Sequence, residues 1–192
     1  MAYNLITITE YKAYAGIKST NYDTEITDLI PRVSQFVKNY CGRTFVDYFA
    51  APDPQKVEVF SGGGFKTILP TETPLVSITK FESSVDFGKT YTTLTQYVDW
   101  VKDGDTIVSL WPKGFDNYVN GYKLTYFGGW DDVPADLGLA IMDLVTYYRK
   151  SDMSVHSNSA PGTNKTQIEY ITTSQLPAHI RRVLDQYRTD YT

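Results

Sequence analysis

The chain is short of positive charge, of cysteine and of long apolar runs, and each shortage removes a class of function. Its 192 residues carry 18 Lys and Arg against 22 Asp and Glu, a formal charge of -4. Nucleic-acid binders normally need a basic stripe, so an acidic chain is not built primarily to hold DNA or RNA. Cys41 is the single cysteine. It excludes an internal disulfide framework and reads as a small buried residue at a helix end. No run reaches the roughly eighteen apolar residues of a membrane span, and no basic segment followed by an apolar core marks a secretory signal. Asn164-Lys165-Thr166 is then a chance match to a glycosylation acceptor.

Catalytic constellations are missing too. His156 falls in a polar loop and His179 in the first turn of the last helix, neither with a second ligand at metal spacing. Ser77-Ile78-Thr79-Lys80 spells Ser-x-x-Lys, but within a strand pattern and without the partner motifs. Gly62-Gly63-Gly64 and Gly88-Lys89-Thr90 lack the full phosphate-loop spacing and read as hairpin turns. Asp131, Asp132 and Asp136 read as a capped helix start rather than a cation site. The expectation is a protein that is not an enzyme and has no cofactor or metal.

What the chain does have is periodicity. Thr7 followed by Glu10 is a capping box, and Gly16 suits a left-handed stop, giving a helix near 7–16. Ile26, Leu29, Ile30, Val33, Phe36, Val37 and Tyr40 recur at spacings of three and four, giving a second helix near 22–41 closed by Gly42. Asn21 or Asp23 can cap its start. Pro31 lies inside that stripe and predicts a kink or a restart between Thr27 and Pro31. Pro134 opens a third helix, near 134–150, with Leu137, Ile141, Leu144, Val145 and Tyr148 on one side. A fourth, near 177–188, places Ile180, Val183, Leu184 and Tyr187 on one face.

Between about 55 and 128 the period changes to two. Val57–Phe60, Lys66–Leu69, Val76–Glu82, Tyr97–Val101, Thr106–Trp111 and Tyr122–Phe127 read as short antiparallel strands, with Asp103-Gly104 as a hairpin signal. The high load of Tyr, Phe and Trp, 15% of the chain, reads as strand core. The predicted fold is α+β: one domain of residues 1–192, with a helical core from 1–45 and 131–192 and a β-rich insertion at 55–128. A polar loop at 151–166 reads as mobile, and Gln167–Thr172 alternates like a strand without an evident partner.

Several local strings, taken in order, resemble one family. They are Cys41-Gly42-Arg43-Thr44-Phe45 after the helix pair, then Leu69-Pro70 through Pro74 to Phe81, then Tyr97-Val98-Asp99. After the strand ending at Trp111-Pro112 come Thr125-Tyr126-Phe127-Gly128-Gly129-Trp130, Val133-Pro134-Ala135-Asp136-Leu137 and Ala140-Ile141. Leu176, Pro177, Ile180, Leu184, Tyr187 and Arg188 complete the set. In this the chain resembles the head–tail connector, or adaptor, proteins of tailed bacteriophages.

The resemblance implies a structural virion protein of the neck, made in the host bacterial cytoplasm. It implies a ring of about twelve copies under the portal, a closed assembly in which each subunit presents two different faces. Such a ring extends the DNA channel, meets a tail-side connector or tail terminator, and lets viral DNA pass without specific binding; no membrane is involved. The residues expected to contact a partner are Ile168, Tyr170, Leu176, Ile180, Val183, Leu184, Tyr187, Arg181 and Arg188. They belong to the strand-like segment and terminal amphipathic helix, which can dock on their own domain or reach a neighbour by strand addition or helix contact. The alternative reading is a stand-alone carbohydrate- or protein-binding module that would display coplanar aromatics to solvent.

Overall fold

A computed structural model describes residues 3–151, 157–158, 167–168 and 176–189. In chain order its elements are α1 (Ile8–Ala15), α2 (Asp23–Cys41), β1 (Lys56–Phe60), β2 (Thr67–Ile68), β3 (Leu75–Ser83), β4 (Thr92–Thr93), β5 (Trp100–Asp103), β6 (Thr106–Ser109), β7 (Tyr122–Gly128), α3 (Ala135–Ser151), β8 (Ser157–Asn158), β9 (Gln167–Ile168) and α4 (Ala178–Gln186). The fold is mixed α+β, with helices and strands where the two periods place them. The sequence outlines one domain with a β-rich insertion; the chain divides into two compact units, one of Asn4–Cys41 with Pro134–Thr192, the other of Met1–Tyr3 with Gly42–Val133.

In the helical unit, α1 is held at both ends as its sequence dictates. The Thr7 hydroxyl accepts from the Glu10 amide at 3.2 Å, and the Glu10 carboxylate accepts from the Thr7 amide at 2.6 Å. Gly16 closes the helix at φ 67°, a conformation that costs a residue with a Cβ about 1–2 kcal/mol. The α2 stripe buries Ile26, Ile30, Val33 and Val37, while Leu29 and Phe36 stay half-buried at its margins. It packs on α3, whose buried residues include Leu137, Ala140, Ile141, Leu144 and Val145.

Pro31 does not restart α2, which runs unbroken from Asp23 to Cys41. Thr27 and Pro31 are both on the exposed side, where water can serve the carbonyl that loses its helical donor. Asp23 lies inside the first turn, where its carboxylate pairs with Lys12 at 2.6 Å.

In the β unit, all named strands are antiparallel and form two sheets, ordered β1-β7-β3-β4 and β2-β6-β5. Their inner faces share one core of Ile68, Leu75, Phe81, Trp100, Ile107, Phe115, Tyr122, Leu124 and Tyr126. Phe81 is its hub: its ring meets Trp100 edge-on at 5.6 Å, Phe115 at 5.8 Å and Tyr122 at 5.9 Å. Offset and edge-on aromatic pairs add to area burial, so much of the aromatic load works inside the fold.

Two turn readings change. Gly62–Gly64 is not a hairpin, because β1 pairs with β7 and β2 with β6; the triplet carries the chain from one sheet to the other. The β5–β6 turn is centred on Gly104-Asp105, with Asp103 opposite Thr106. Positive φ is needed only at Gly104, at 56°, the first central position of a two-residue hairpin turn. Gly88 does belong to the β3–β4 connection, which Asp86 organises by accepting from the Ser84 hydroxyl and from the Lys89 and Thr90 amides.

Candidate interaction surfaces

Among the described residues no group of three or more His, Cys, Asp or Glu could hold a metal ion, and no helix is long and apolar enough to cross a membrane. His179 is exposed, 3.8 Å from Asp143; His156 lies outside the described residues. The structure offers instead a buried polar knot, an unusual pair of sheet faces and a terminal helix.

The knot explains why the strings that carry the resemblance look as they do. Past Gly42, at φ 70°, Arg43 turns its guanidinium onto Thr73, donating to the hydroxyl at 3.0 Å, and lies over the Trp130 ring. The amides of Thr44 and Phe45 donate to the Glu72 carboxylate at 2.9 and 3.3 Å. Phe45 is buried at φ 71°, a left-handed backbone that costs a bulky residue about 1–3 kcal/mol unless its surroundings fix it.

Glu72 itself is buried. Its own amide donates to the Tyr126 hydroxyl at 3.0 Å, and that hydroxyl donates to Glu58 at 3.1 Å. Burial pushes the Glu72 carboxyl above its ordinary range, against the opposing pull of the Thr44 and Phe45 amides and of Lys56 at 3.9 Å. Burial likewise raises the Tyr126 phenol.

The Gly128-Gly129-Trp130 string closes the knot. Its three successive amides donate to the carbonyls of Tyr48 at 2.8 Å, Pro74 at 2.9 Å and Phe45 at 2.8 Å, tying it to two other segments. Gly129 has φ 100°, and a Cβ there would overlap the Phe45 carbonyl, so only glycine fits. Asp99, from the Tyr97-Val98-Asp99 string, accepts from the Thr95 amide at 2.7 Å and the Trp111 indole at 3.2 Å. No local pattern singles out Glu72, which lies between Pro70 and Pro74.

The sheet faces differ. On the outer side of the four-stranded sheet, Val57 lies opposite Thr125, and Val59 opposite Lys123, which is in turn opposite Glu82. Glu82 is buried between Lys80 at 2.7 Å and Lys123 at 2.9 Å. Burial alone would raise its carboxyl; the two lysines outweigh burial and hold it below the ordinary value. The outer side of the three-stranded sheet has no such cluster. There Thr67, Val108 and Val101 form one row, flanked by Leu69 and Leu110. The sequence did carry a signal for this: Ile107-Val108 and Leu110-Trp111 place apolar residues on both faces of one strand.

The partner-contact residues expected from the sequence fall into several environments. Ile180 and Leu184 are buried where α4 packs on α3 and α2, so that apolar face is docked within its own unit. Val183 and Leu176 are half-buried, and Arg181 and Arg188 are exposed. Tyr187 is half-buried; its hydroxyl donates to Asp136 at 2.7 Å, joining the last string to the one that opens α3, and burial followed by that bond pushes the phenol up to about 12. Ile168 is in β9, paired with Ser157 of β8. Tyr170 lies outside the described residues, as does most of the 151–166 segment.

Comparison with known proteins supplies the family. The profile of the head completion protein family matches residues 4–189, and the chain belongs to that family, whose members are structural proteins of the virion. No curated relative matches it.

Among solved structures, a chain from the neck of an empty gene transfer agent particle, computed with C6 symmetry, aligns at a TM-score of 0.58 and 13% identity. That alignment covers 98% of this chain and 91% of the other. A chain from the virion of the native gene transfer agent particle aligns at 0.60 and 11%, with the same coverage. One from the native neck, computed with C12 symmetry, aligns at 0.57 and 12%, covering 100% and 97%. At these identities the likeness establishes the shared fold. The family makes this a head completion protein, a structural protein of the virion that belongs to the head–tail connection, and its fold is the one those neck and virion chains share.

Proposed function

We propose that the protein acts as a ring of about twelve copies, a closed assembly of heterologous contacts, seated under the portal. The ring continues the DNA channel and gives a tail-side connector or tail terminator its attachment surface. The observation that carries this reading is the family match over almost the whole chain, supported by the common fold with neck components of symmetric particles.

Charge supports the channel role. The β unit holds eight Lys and Arg against twelve Asp and Glu, while the helical unit holds ten of each. A surface of that sign, repeated around a channel, repels passing DNA rather than gripping it. Partner contact falls to the outward residues near the C-terminus, Arg181 and Arg188 with Val183, Leu176 and Tyr187 beside them, and to the segment of Ile168 and Tyr170. With Ile180 and Leu184 docked at home, a partner meets the polar side of α4.

The test is cryo-electron microscopy of portal-bearing heads made without this protein and then mixed with it. An added ring at the portal vertex is the expected result. A protein that remains a free monomer and never binds those heads would sink the proposal.

A further inference from the structure

The outer face of the three-stranded sheet calls for a partner. In a sheet with one solvated face, the outward residues of each strand are normally polar. Here Val101 and Val108 pair across the outer face, and Leu69 and Leu110, 59% and 47% exposed, directly follow β2 and β6, Leu110 continuing the ladder through its amide bond to the Asp99 carbonyl at 2.9 Å. No charged residue interrupts the Thr67–Val108–Val101 row.

The four-stranded sheet carries a second apolar pair at its free edge, Val57 at 56% and Val59 at 48% exposed, beside the Lys80–Glu82–Lys123 cluster. The inner faces of the two sheets share one core, with Phe81 of one against Trp100 of the other. The two apolar patches therefore face opposite ways across the β unit.

We propose that these patches are the two halves of one subunit–subunit contact: the Leu69–Val108–Leu110 face of one copy receives the Val57–Val59 edge of the next. The inference rests on the ring reading above and specifies its interface. Two different patches on opposite sides of one unit make a heterologous contact, the kind that propagates around a ring and closes by rotation. Charge agrees. Two lysines against one buried carboxylate leave positive charge beside Val59, whereas the three-stranded face is bordered at its hairpin by the exposed Asp103. Opposite charges at the rim of an apolar contact set its register and suppress wrong pairings. The edge of β1 also offers unpaired backbone groups that a neighbour can cover.

The experiment uses portal-bearing heads made without this protein, to which purified full-length variants are added. The double variant Leu69→Asp/Leu110→Asp alters exposed positions, so it should melt like the wild type, yet its incorporation should fall by about tenfold or more. Independently, Val59→Cys/Leu110→Cys should yield a ladder of covalent multimers when assembled heads are oxidised. Neither single variant should do so, because Cys41 is buried. Normal incorporation of the aspartate variant, or assembly of the double-cysteine variant without a ladder, overturns the interface and leaves the connector role standing. If the wild type itself fails to join heads, the connector reading falls and the interface with it.

Discussion

The two units of this chain are stabilised by different means. The helical unit relies on apolar stripes and local caps: each of its helices can be read from spacings of three and four, and its opposite charges are equal in number. The β unit relies on contacts distant in sequence. A carboxylate at 72 fixes amides at 44 and 45, and a phenol at 126 bonds both 72 and 58. It carries the whole net charge and leaves apolar side chains outside. One unit is a helical core held by local spacing; the other is a β core tied together by buried hydrogen bonds between distant segments.

The contrast can be broken most severely in the helical core. Leu144 is fully buried on α3, and Leu144→Asp forfeits about 1.5–3 kcal/mol of burial while adding the several-kcal/mol cost of a buried, unpaired carboxylate. No folded protein should be recovered, as judged by circular dichroism of the soluble fraction. A cooperative melt near that of the wild type would contradict the assignment of α3 to the core.

Glu72→Ala probes the other unit. It leaves the part-buried Thr44 amide and the buried Phe45 amide without their acceptor, for a loss of about 1–3 kcal/mol per unsatisfied group. The protein should fold but melt well below the wild type, and Glu72→Gln, which keeps an acceptor, should recover part of the loss. An alanine variant as stable as the wild type would show that the knot holds nothing.

Smaller effects sharpen the difference. Thr7→Ala removes half of a capping box and should cost about 1 kcal/mol in chemical denaturation. Gly104→Ala meets open space and only backbone strain, so about 1 kcal/mol is expected there too.

The smallest effect is one of pH, and the two buried glutamates should act in opposite directions. Glu82 has a lowered carboxyl, so its contribution is present above the ordinary value of 4.5 and is lost as pH falls through its folded value. Glu72 has a raised one, so its contribution is complete below 4.5 and is lost as pH rises through its folded value. Stability measured against pH should lose its acid-side fall in Glu82→Gln and lose the decline above 4.5 in Glu72→Gln. Identical profiles for the two variants would contradict the pairing of each carboxylate.

The same contrast governs what could be read without a structure. Thr7 and Glu10 cap α1 as spelled, and the α2 stripe buries Ile26, Ile30, Val33 and Val37, because helical geometry is set by residues within a few positions. Of the kink or restart that Pro31 suggests, the restart does not occur: a helix whose proline sits on its wet side continues through it. The strands were found, but their partners were not. Pairing β1 with β7 joins residues on either side of the other five strands, and no local pattern encodes that choice. Glu72 was invisible because its role depends on amides brought from 27 and 28 positions away. At the C-terminus, Ile180 and Leu184 formed a legible stripe, but spacing alone could not say that α3 and α2 would cover it.

The hydrogen-bonded knot also brings the ends of the β unit together. Its incoming stretch, Arg43–Phe45, and its outgoing stretch, Gly128–Trp130, are joined by the bond from the Trp130 amide to the Phe45 carbonyl. Tyr3 is tied to the same corner through Asp47 at 3.1 Å. A segment whose ends are stitched side by side behaves as a cassette, since a host chain can accept or lose it without spanning a gap. Residues 42–133 expressed alone should therefore fold and melt cooperatively, and a fragment that stays unfolded would refute this. A lineage can then gain, lose or replace such a module while the rest of its chain keeps its fold.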